Sequence, residues 1–330
     1  MLHTAVIGVG HLGRQHARIH AVLAAEGMSD FLCVCDLNDQ TAKAIAAERN
    51  VDWTTDWRKL LGQVDAVSLA VPTEAHCEIA CALLSAGIHV LVEKPISRTL
   101  PEADRMIDAA QRSGALLQVG HLERFNPALV ALRPHVRKPV YFEIHRVGEF
   151  TARSLDIDVV LDLMIHDLDI VQWLVGEEVE VTELHAVGIP ILTKKVDAAN
   201  ARLEFSTGAV ANITASRVGT EKIRKMRFFQ PHDYIAVDYA SRRASISSLA
   251  RPTADGSWPG VHVRNLNVID VEPLRAELVA FFDAAQSGAP PAISGRDARN
   301  ALALALRTLL RIEEHAAHPQ VHALSTAQPR

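Results

Sequence analysis

The spacing of apolar positions changes character about a third of the way along the chain. Up to residue 120, short, mostly apolar runs alternate with stretches of helical period. The runs fall at 4–7, 31–36, 64–71, 89–92 and 116–120, and the helical stretches at 15–25, 39–47, 75–86 and 100–113. Short runs without polar alternation suit strands covered on both faces. Their alternation with helices predicts a parallel, doubly wound α/β sheet.

After Gly120 the pattern shifts to extended segments at 140–147, 179–187, 199–205, 209–217, 225–230, 234–239 and 244–247. Several alternate apolar with polar residues, as antiparallel strands with one wet face do. Helical periodicity returns at 159–174, at 274–286 after Pro273, and at 295–317. The expectation is a doubly wound domain over 1–120, then an α+β domain with a large, open, mostly antiparallel sheet over 121–330. An open sheet with an apolar outer face tends to pair with another copy, which predicts a homodimer or homotetramer.

The first apolar run leads straight into Gly8-Val9-Gly10-His11-Leu12-Gly13, a G-x-G-x-x-G turn that opens a helix. The glycines allow a tight turn, close approach of a pyrophosphate, and close packing of helix on strand. The helix N-terminus then faces the phosphates. Gly8, Gly10, His11, Leu12 and Gly13 are therefore expected to bind a dinucleotide in a Rossmann domain. Asp36 ends the second run, 23 residues after Gly13, at the spacing of the carboxylate that bonds the adenosine ribose hydroxyls. A carboxylate repels a 2′-phosphate, and Leu37, Asn38 and Asp39 offer no arginine to accept one. NAD is favoured over NADP. The alternative reading is that Asp36 merely caps the helix that follows.

The fourth run ends in Glu93-Lys94-Pro95. Ligands of open α/β sheets bind outside the carboxyl ends of the strands, which places Lys94 beside the dinucleotide. There its ammonium suits a substrate hydroxyl and a developing alkoxide; a simply solvated lysine is the alternative. On the helix at 159–174, Asp162 and His166 are four residues apart, and Asp169 lies three further on. A carboxylate beside a histidine orients the ring and raises its basicity, as a base for alcohol oxidation requires. A buried structural pair would look the same. No recognisable spacing completes a metal-ligand set.

Composition narrows the classes. The 330 residues are 48% hydrophobic and 22% charged, with a formal net charge of −5. No dense basic stretch exists, so nucleic acid is not an expected partner. Cys33, Cys35, Cys77 and Cys81 lack zinc-site spacing and read as buried thiols of a reducing compartment. No run of about 18 apolar residues suits a membrane span. The chain enters a strand almost at once, so no signal peptide and a cytoplasmic location are expected. The polar tail after Ala316 is expected to fray.

The N-terminal glycine turn, the central E-K-P and the later D-x-x-x-H helix together resemble the Gfo/Idh/MocA oxidoreductase family, over nearly the whole chain. The resemblance implies a Rossmann domain followed by an open-sheet substrate domain, and NAD-dependent chemistry at a sugar or cyclitol carbon. It matches Lys94, Asp162 and His166 to the family's catalytic residues. It matches Thr73 and His76, with Glu93 and Lys94, to a segment lining the nicotinamide end. Family members often carry glycine two residues before the histidine. Met164 stands there, and a side chain at that place is expected to narrow the space beside the base.

Residues 120–127, 162–167 and 217–225 are similar to a narrower subgroup that oxidises C3 of UDP-N-acetylglucosamine in lipid A diamino-sugar synthesis, supplying a partner aminotransferase. Substrate contacts expected on that basis are Arg124, Asn126, Asp169, Arg217, Lys222 and Arg224. Arg217, Lys222, Arg224 and Lys225 would also suit a diphosphate, or form a solvated basic loop. Two other functions remain: a dehydrogenase of a free sugar or inositol, and a non-catalytic NAD-binding sensor or partner protein.

Overall fold

The computed structural model describes residues 1–149, 157–249 and 260–318. Up to residue 120 it contains β1 (Leu2–Ile7), α1 (His11–Ala25), β2 (Ser29–Cys35), α2 (Asp39–Arg49), β3 (Asp52–Thr54), β4 (Ala66–Leu69), α3 (Thr73–Ser85), β5 (His89–Glu93), α4 (Leu100–Ser113) and β6 (Leu117–Gly120). The six strands form a parallel sheet in the order β3-β2-β1-β4-β5-β6. The order reverses at β1 and β4, the switch point where such sheets bind ligands.

Local chemistry explains the boundaries. The limits of α4 match the expectation because its ends are written in the sequence. Thr99 and Glu102 form a reciprocal capping box, and Gly114 takes the left-handed conformation after the last turn. α1 begins four residues before the expected helical stretch, with His11 and Leu12 exposed in its first turn. β3 was not expected: its first two residues, Asp52 and Trp53, are exposed at the sheet edge.

The chain continues with α5 (Pro127–Leu132), β7 (Tyr141–Glu149), α6 (Ile165–Val175), β8 (Val181–Ile189), β9 (Ala198–Phe205), β10 (Val210–Gly219), β11 (Ile223–Gln230), β12 (Asp233–Asp238), β13 (Arg243–Leu249) and β14 (Val261–Asn265). The strands form an eight-stranded sheet, β14-β13-β12-β11-β7-β10-β9-β8. Its pairing is antiparallel except for the central β7–β10 pair. One face is buried, with Phe142, Ile144, Ile213, Met226 and Phe228 inside. The rings of Phe142 and Phe228 are 5.1 Å apart. β14 lies outside the extended segments expected above, and all five of its residues are exposed.

Helices α7 (Pro273–Ser287) and α8 (Gly295–Ala316) complete the described chain. They correct the expected division at 120. The compact units are Met1–Phe125 with Val271–Leu302, and Asn126–Asp270 with Ala303–Arg330. The reason is packing: Leu274, Leu278, Phe281 and Phe282 of α7 share one apolar cluster with Ile19, Leu23 and Leu91. At about 1.5–3 kcal/mol for each large side chain removed from water, that cluster ties the returning segment to the first unit. From residue 319 on, the expected polar tail lies outside the described residues.

Candidate active site

In the first unit the turn after β1 shows why three glycines are needed. Gly8 has φ +81°, and a Cβ there would lie 2.6 Å from the Ala70 carbonyl oxygen. A Cβ on Gly13 would lie 1.7 Å from the Gly8 carbonyl oxygen, so only glycine lets α1 pack on this turn. Gly10 differs: nothing lies within 4 Å of its would-be Cβ, and the residue is exposed. That open backbone is the approach a pyrophosphate requires. Among the described residues, no side chain caps α1 and no acidic residue sits in its first turn, so its positive end suits an anion.

Asp36 follows β2. Its Oδ2 accepts from the Val9 N–H at 2.9 Å and its Oδ1 from the Asn38 N–H at 2.9 Å. The helix-cap reading of Asp36 fails, because Asn38 caps α2 by accepting from the Thr41 N–H at 3.0 Å. Gly8, Gly10, Asp36, Trp57, Arg58 and Pro72 line one cleft of about 590 Å³. Trp57 and Arg58 lie on an unmotifed turn after β3 and were not legible as site residues. The Arg58 guanidinium stacks on Trp57 at 4.6 Å and reaches Asp56 and Glu78, each at 3.4 Å. With a bare glycine backbone and an anchored carboxylate in one cleft, these residues fit NAD.

β5 ends at Glu93. Its Oε1 lies 2.8 Å from His16 Nε2, and its Oε2 accepts from the Lys94 N–H at 3.2 Å. Burial pushes this carboxyl up, but the His16 hydrogen bond and charge, with Lys94, outweigh it and hold Glu93 below the ordinary carboxylate value. A Cβ on Gly120 would stand 3.2 Å from Glu93 Oε2, so that glycine makes room for the carboxylate. Glu93 thus fixes the backbone of the half-buried Lys94. Close by, Glu277 of α7 is fully buried, and burial together with the Glu93 charge pushes its carboxyl well above the usual range.

Thr73 opens α3. His76 is buried, with Nε2 2.9 Å from the Val71 oxygen and Nδ1 3.1 Å from the Pro95 oxygen. Burial lowers its pKa against those carbonyls. His76 therefore staples the turns after β4 and β5 together and is not an open lining residue. Arg124 is buried in the turn after β6, with Nη2 3.9 Å from Asp297 Oδ1.

The second unit holds the candidates for proton transfer. The expected continuous helix at 159–174 is interrupted: Val160–Met164 is a π-helical turn, followed by α6. Such turns concentrate at functional sites. With i→i+5 bonding, residue 166 falls just short of a full turn from 162, so Asp162 and His166 stay on one side of the helix. Both are partly exposed on a segment whose Val159, Val160, Ile165 and Leu168 are buried. Met164 is fully buried in that apolar packing. Asp169 is also buried. Asp167 makes a buried bidentate pair with Arg146 of β7, at 2.7 and 2.8 Å.

Strand parity divides the basic cluster. Arg217 shares the buried face of β10 with Ile213 and Ala215, and its Nε lies 3.7 Å from Asp197 Oδ1. Arg224 shares the parity of Met226 and Phe228 and sits across from Arg146 in the β7 register. Lys225 points to the opposite face, 3.9 Å from Asp238, and Lys222 is exposed in the preceding turn. Arg217 is thus tied within the fold. So is Asn126, which accepts from the Ala128 N–H at 3.1 Å and donates to the Tyr239 oxygen at 3.2 Å.

All four cysteines are free. Burial raises Cys33 to about 11 and Cys35 to about 12, so both stay thiols. Among the described residues no group of three His, Cys, Asp or Glu side chains is placed to hold a metal ion. No described helix is long and apolar enough to cross a membrane.

Comparison with known proteins adds to this geometry. Residues 2–121 match the family description "Oxidoreductase family, NAD-binding Rossmann fold", and residues 129–229 match "GFO/IDH/MocA C-terminal domain". The chain is 38% identical over 316 residues to a UDP-N-acetylglucosamine 3-dehydrogenase of Acidithiobacillus ferrooxidans, covering 95% of this chain and 98% of that one. It is 29% identical over 231 residues to a scyllo-inositol 2-dehydrogenase (NAD(+)) of Bacillus subtilis, covering 64% and 66% of the two chains. A solved structure of the Acidithiobacillus ferrooxidans enzyme superposes with a TM-score of 0.88 at 37% identity, covering 95% and 98%. A levoglucosan dehydrogenase complexed with NADH and levoglucosan shares the fold, with a TM-score of 0.84 at 19% identity over 95% and 97% of the chains.

Proposed function

The chain belongs to the Gfo/Idh/MocA oxidoreductase family, and on that premise we propose that it oxidises C3 of UDP-N-acetylglucosamine to a ketone. It is an NAD-dependent oxidoreductase, and the sugar chemistry follows from its relatives. The observation that carries the substrate reading is the end-to-end likeness to the Acidithiobacillus ferrooxidans dehydrogenase, 38% identical over 95% of the chain.

NAD, when bound, supplies the hydride acceptor. Gly8, Gly10 and Gly13 shape its seat, and Asp36 meets the ribose hydroxyls. His166 takes the proton from the reacting hydroxyl, and Asp162 orients the ring and stabilises its charged form. Lys94 donates to the same hydroxyl oxygen and stabilises the negative charge that develops as the proton leaves. Glu93 holds Lys94 through its backbone N–H. In this reading Arg224 and Lys222 meet the diphosphate of the nucleotide, while Arg217 pairs with Asp197.

Alanine at Lys222 and Arg224 together tests the nucleotide-sugar reading. KM for UDP-N-acetylglucosamine rises at least about tenfold on the loss of two charge-assisted contacts, while kcat holds. An unchanged KM transfers the proposal to a free sugar or inositol, the reading that the likeness to the scyllo-inositol enzyme favours.

Two further assignments belong to this reading. The sheet exposes Phe229, Leu249, Val261 and Val263, apolar surface that a second copy of the chain would cover in a homodimer or homotetramer. A 3-keto nucleotide sugar made in the cytoplasm would pass to an aminotransferase.

A further inference from the structure

The segment leading into the helix of Asp162 and His166 has an unusual anchorage. The turn at Val160–Met164 is π-wound and has no side-chain cap. What holds its start is a knot built on residues 189–197 and Arg217. Asp158 Oδ1 accepts from the Val196 N–H at 2.9 Å, and the Val159 N–H donates to the Val196 oxygen at 2.9 Å. Arg217 Nη2 donates to the Ile157 oxygen. Residues 157, 158 and 159 are thus each tied to Val196 or to Arg217.

Asp197 pins the other side of the knot. It is fully buried, and its Oδ2 accepts from the N–H groups of Ile191, Leu192 and Thr193 at 2.7, 2.7 and 2.8 Å. The Thr193 hydroxyl donates to Oδ1 at 2.9 Å. The Arg217 N–H donates to the Asp197 carbonyl oxygen at 3.0 Å, and the Asp197 N–H to the Ile189 oxygen at 2.9 Å. A buried carboxylate needs such a donor set and a countercharge. The Arg217 guanidinium supplies the countercharge 3.7 Å away.

We propose that Arg217 and Asp197 are positioning residues that fix the start of the helix carrying Asp162 and His166, through Ile157, Asp158 and Val159. The proposal rests on the proton-transfer role assigned above to that helix. It converts Arg217 from an expected phosphate contact into a brace. One helical turn separates the anchored Asp158 from Asp162, since the Asp162 N–H donates to the Asp158 oxygen at 3.0 Å. A loosened start therefore displaces the base directly, and a misplacement of about 1 Å costs on the order of 100-fold in rate.

The test compares Arg217→Met, Arg217→Lys and Thr193→Val with the full-length protein by amide hydrogen exchange and by steady-state kinetics. Expected for Arg217→Met is faster exchange at residues 157–166 with unchanged exchange in the nucleotide-binding unit. Its kcat falls about 10- to 100-fold, with KM for the sugar and Kd for NAD unchanged. Arg217→Lys restores part of kcat, because it returns the charge without the planar fork. If Arg217→Met does not fold, Thr193→Val removes the hydroxyl that donates to Asp197 Oδ1 and accepts from the Lys195 N–H, and quickens exchange at 157–166 about fivefold. Wild-type exchange at 157–166 in these variants overturns the proposal, and so does a rise in sugar KM alone, which marks a substrate contact. If the wild type turns over no sugar, the functional reading has failed, and the exchange data still decide on the brace.

Discussion

In the proposed mechanism the two units place their function in different parts of the chain. In the first, it resides in backbone and in missing side chains: Gly8, Gly10 and Gly13 work because they lack a Cβ, and Asp36 is aimed by the Val9 and Asn38 amides. In the second, it resides in side chains on a buried helix, held by ion pairs such as Arg146–Asp167 and Arg217–Asp197. The units also answer the cost of buried charge differently. The first removes charge: His20 is driven down to about 3 by burial and by His16, and Glu277 is pushed well up. The second keeps charge and pairs it, as the first also does at Glu93 beside His16. Burial raises Asp197, but the donated amides and the Thr193 hydroxyl bring it down to about 2. The lesson is that adding an atom should hurt the first unit most, and removing a partner should hurt the second most.

The largest effect expected is in the second unit. His166→Ala should lower kcat about 10²- to 10⁴-fold, the usual worth of a general base, and leave Kd for NAD as it was. Wild-type turnover would return the Asp162/His166 pair to a structural role. Next is Arg146→Met, which removes the bidentate partner of the buried Asp167. Urea unfolding should show a loss of about 3–5 kcal/mol, and less than 1 kcal/mol would mean that water reaches the carboxylate. In the first unit, Gly13→Ala inserts a methyl where a Cβ would lie 1.7 Å from the Gly8 oxygen. A cost of about 1–3 kcal/mol, read as a 10- to 100-fold weaker NAD Kd, is expected with the second unit's exchange pattern intact.

The smallest effects are in pH dependence, and their signs differ. The folded pKa of Glu277 lies above the unfolded one, so its contribution is whole at acid pH and is lost as pH rises through the folded value. Glu277→Gln should flatten that alkaline decline, and an unaltered decline would assign it to another group. His20 has a depressed folded pKa, so its contribution is whole above about 6.5 and is lost as pH falls toward about 3. His20→Gln should shift the acid limb of an unfolding curve. Asp197 acts only at lower pH, between the ordinary carboxylate value and about 2.

The sequence was most readable where structure is local. The Gly8–Gly13 turn, the spacing to Asp36, and α4 between Thr99 and Gly114 are set by neighbours in the chain. The basic cluster was read as one group of substrate contacts, although a local signal divides it. Arg217 has the parity of Ile213 and Ala215, whereas Lys225 alternates against Met226, and a period of two separates them. What stayed hidden depends on distant partners. His16 and Glu93 lie 77 residues apart, and Arg217 meets Ile157 across 60. α7 has the period of any amphipathic helix, so nothing local told that it returns to the first unit. The π-wound turn at Val160–Met164 shifts the helix by a fraction of a turn that an apolar period cannot resolve.

The most direct test of the central claim follows one hydrogen atom. The protein is incubated with NAD and UDP-N-acetylglucosamine carrying deuterium at C3, then denatured, and its nicotinamide nucleotide is weighed. Denaturation recovers reduced cofactor whether it is released or retained. Deuterium in the NADH is the predicted result, with His166→Ala abolishing the transfer within the same time. NADH formed without label, or no reduction at all while NAD binding is intact, would contradict oxidation at C3 of this sugar.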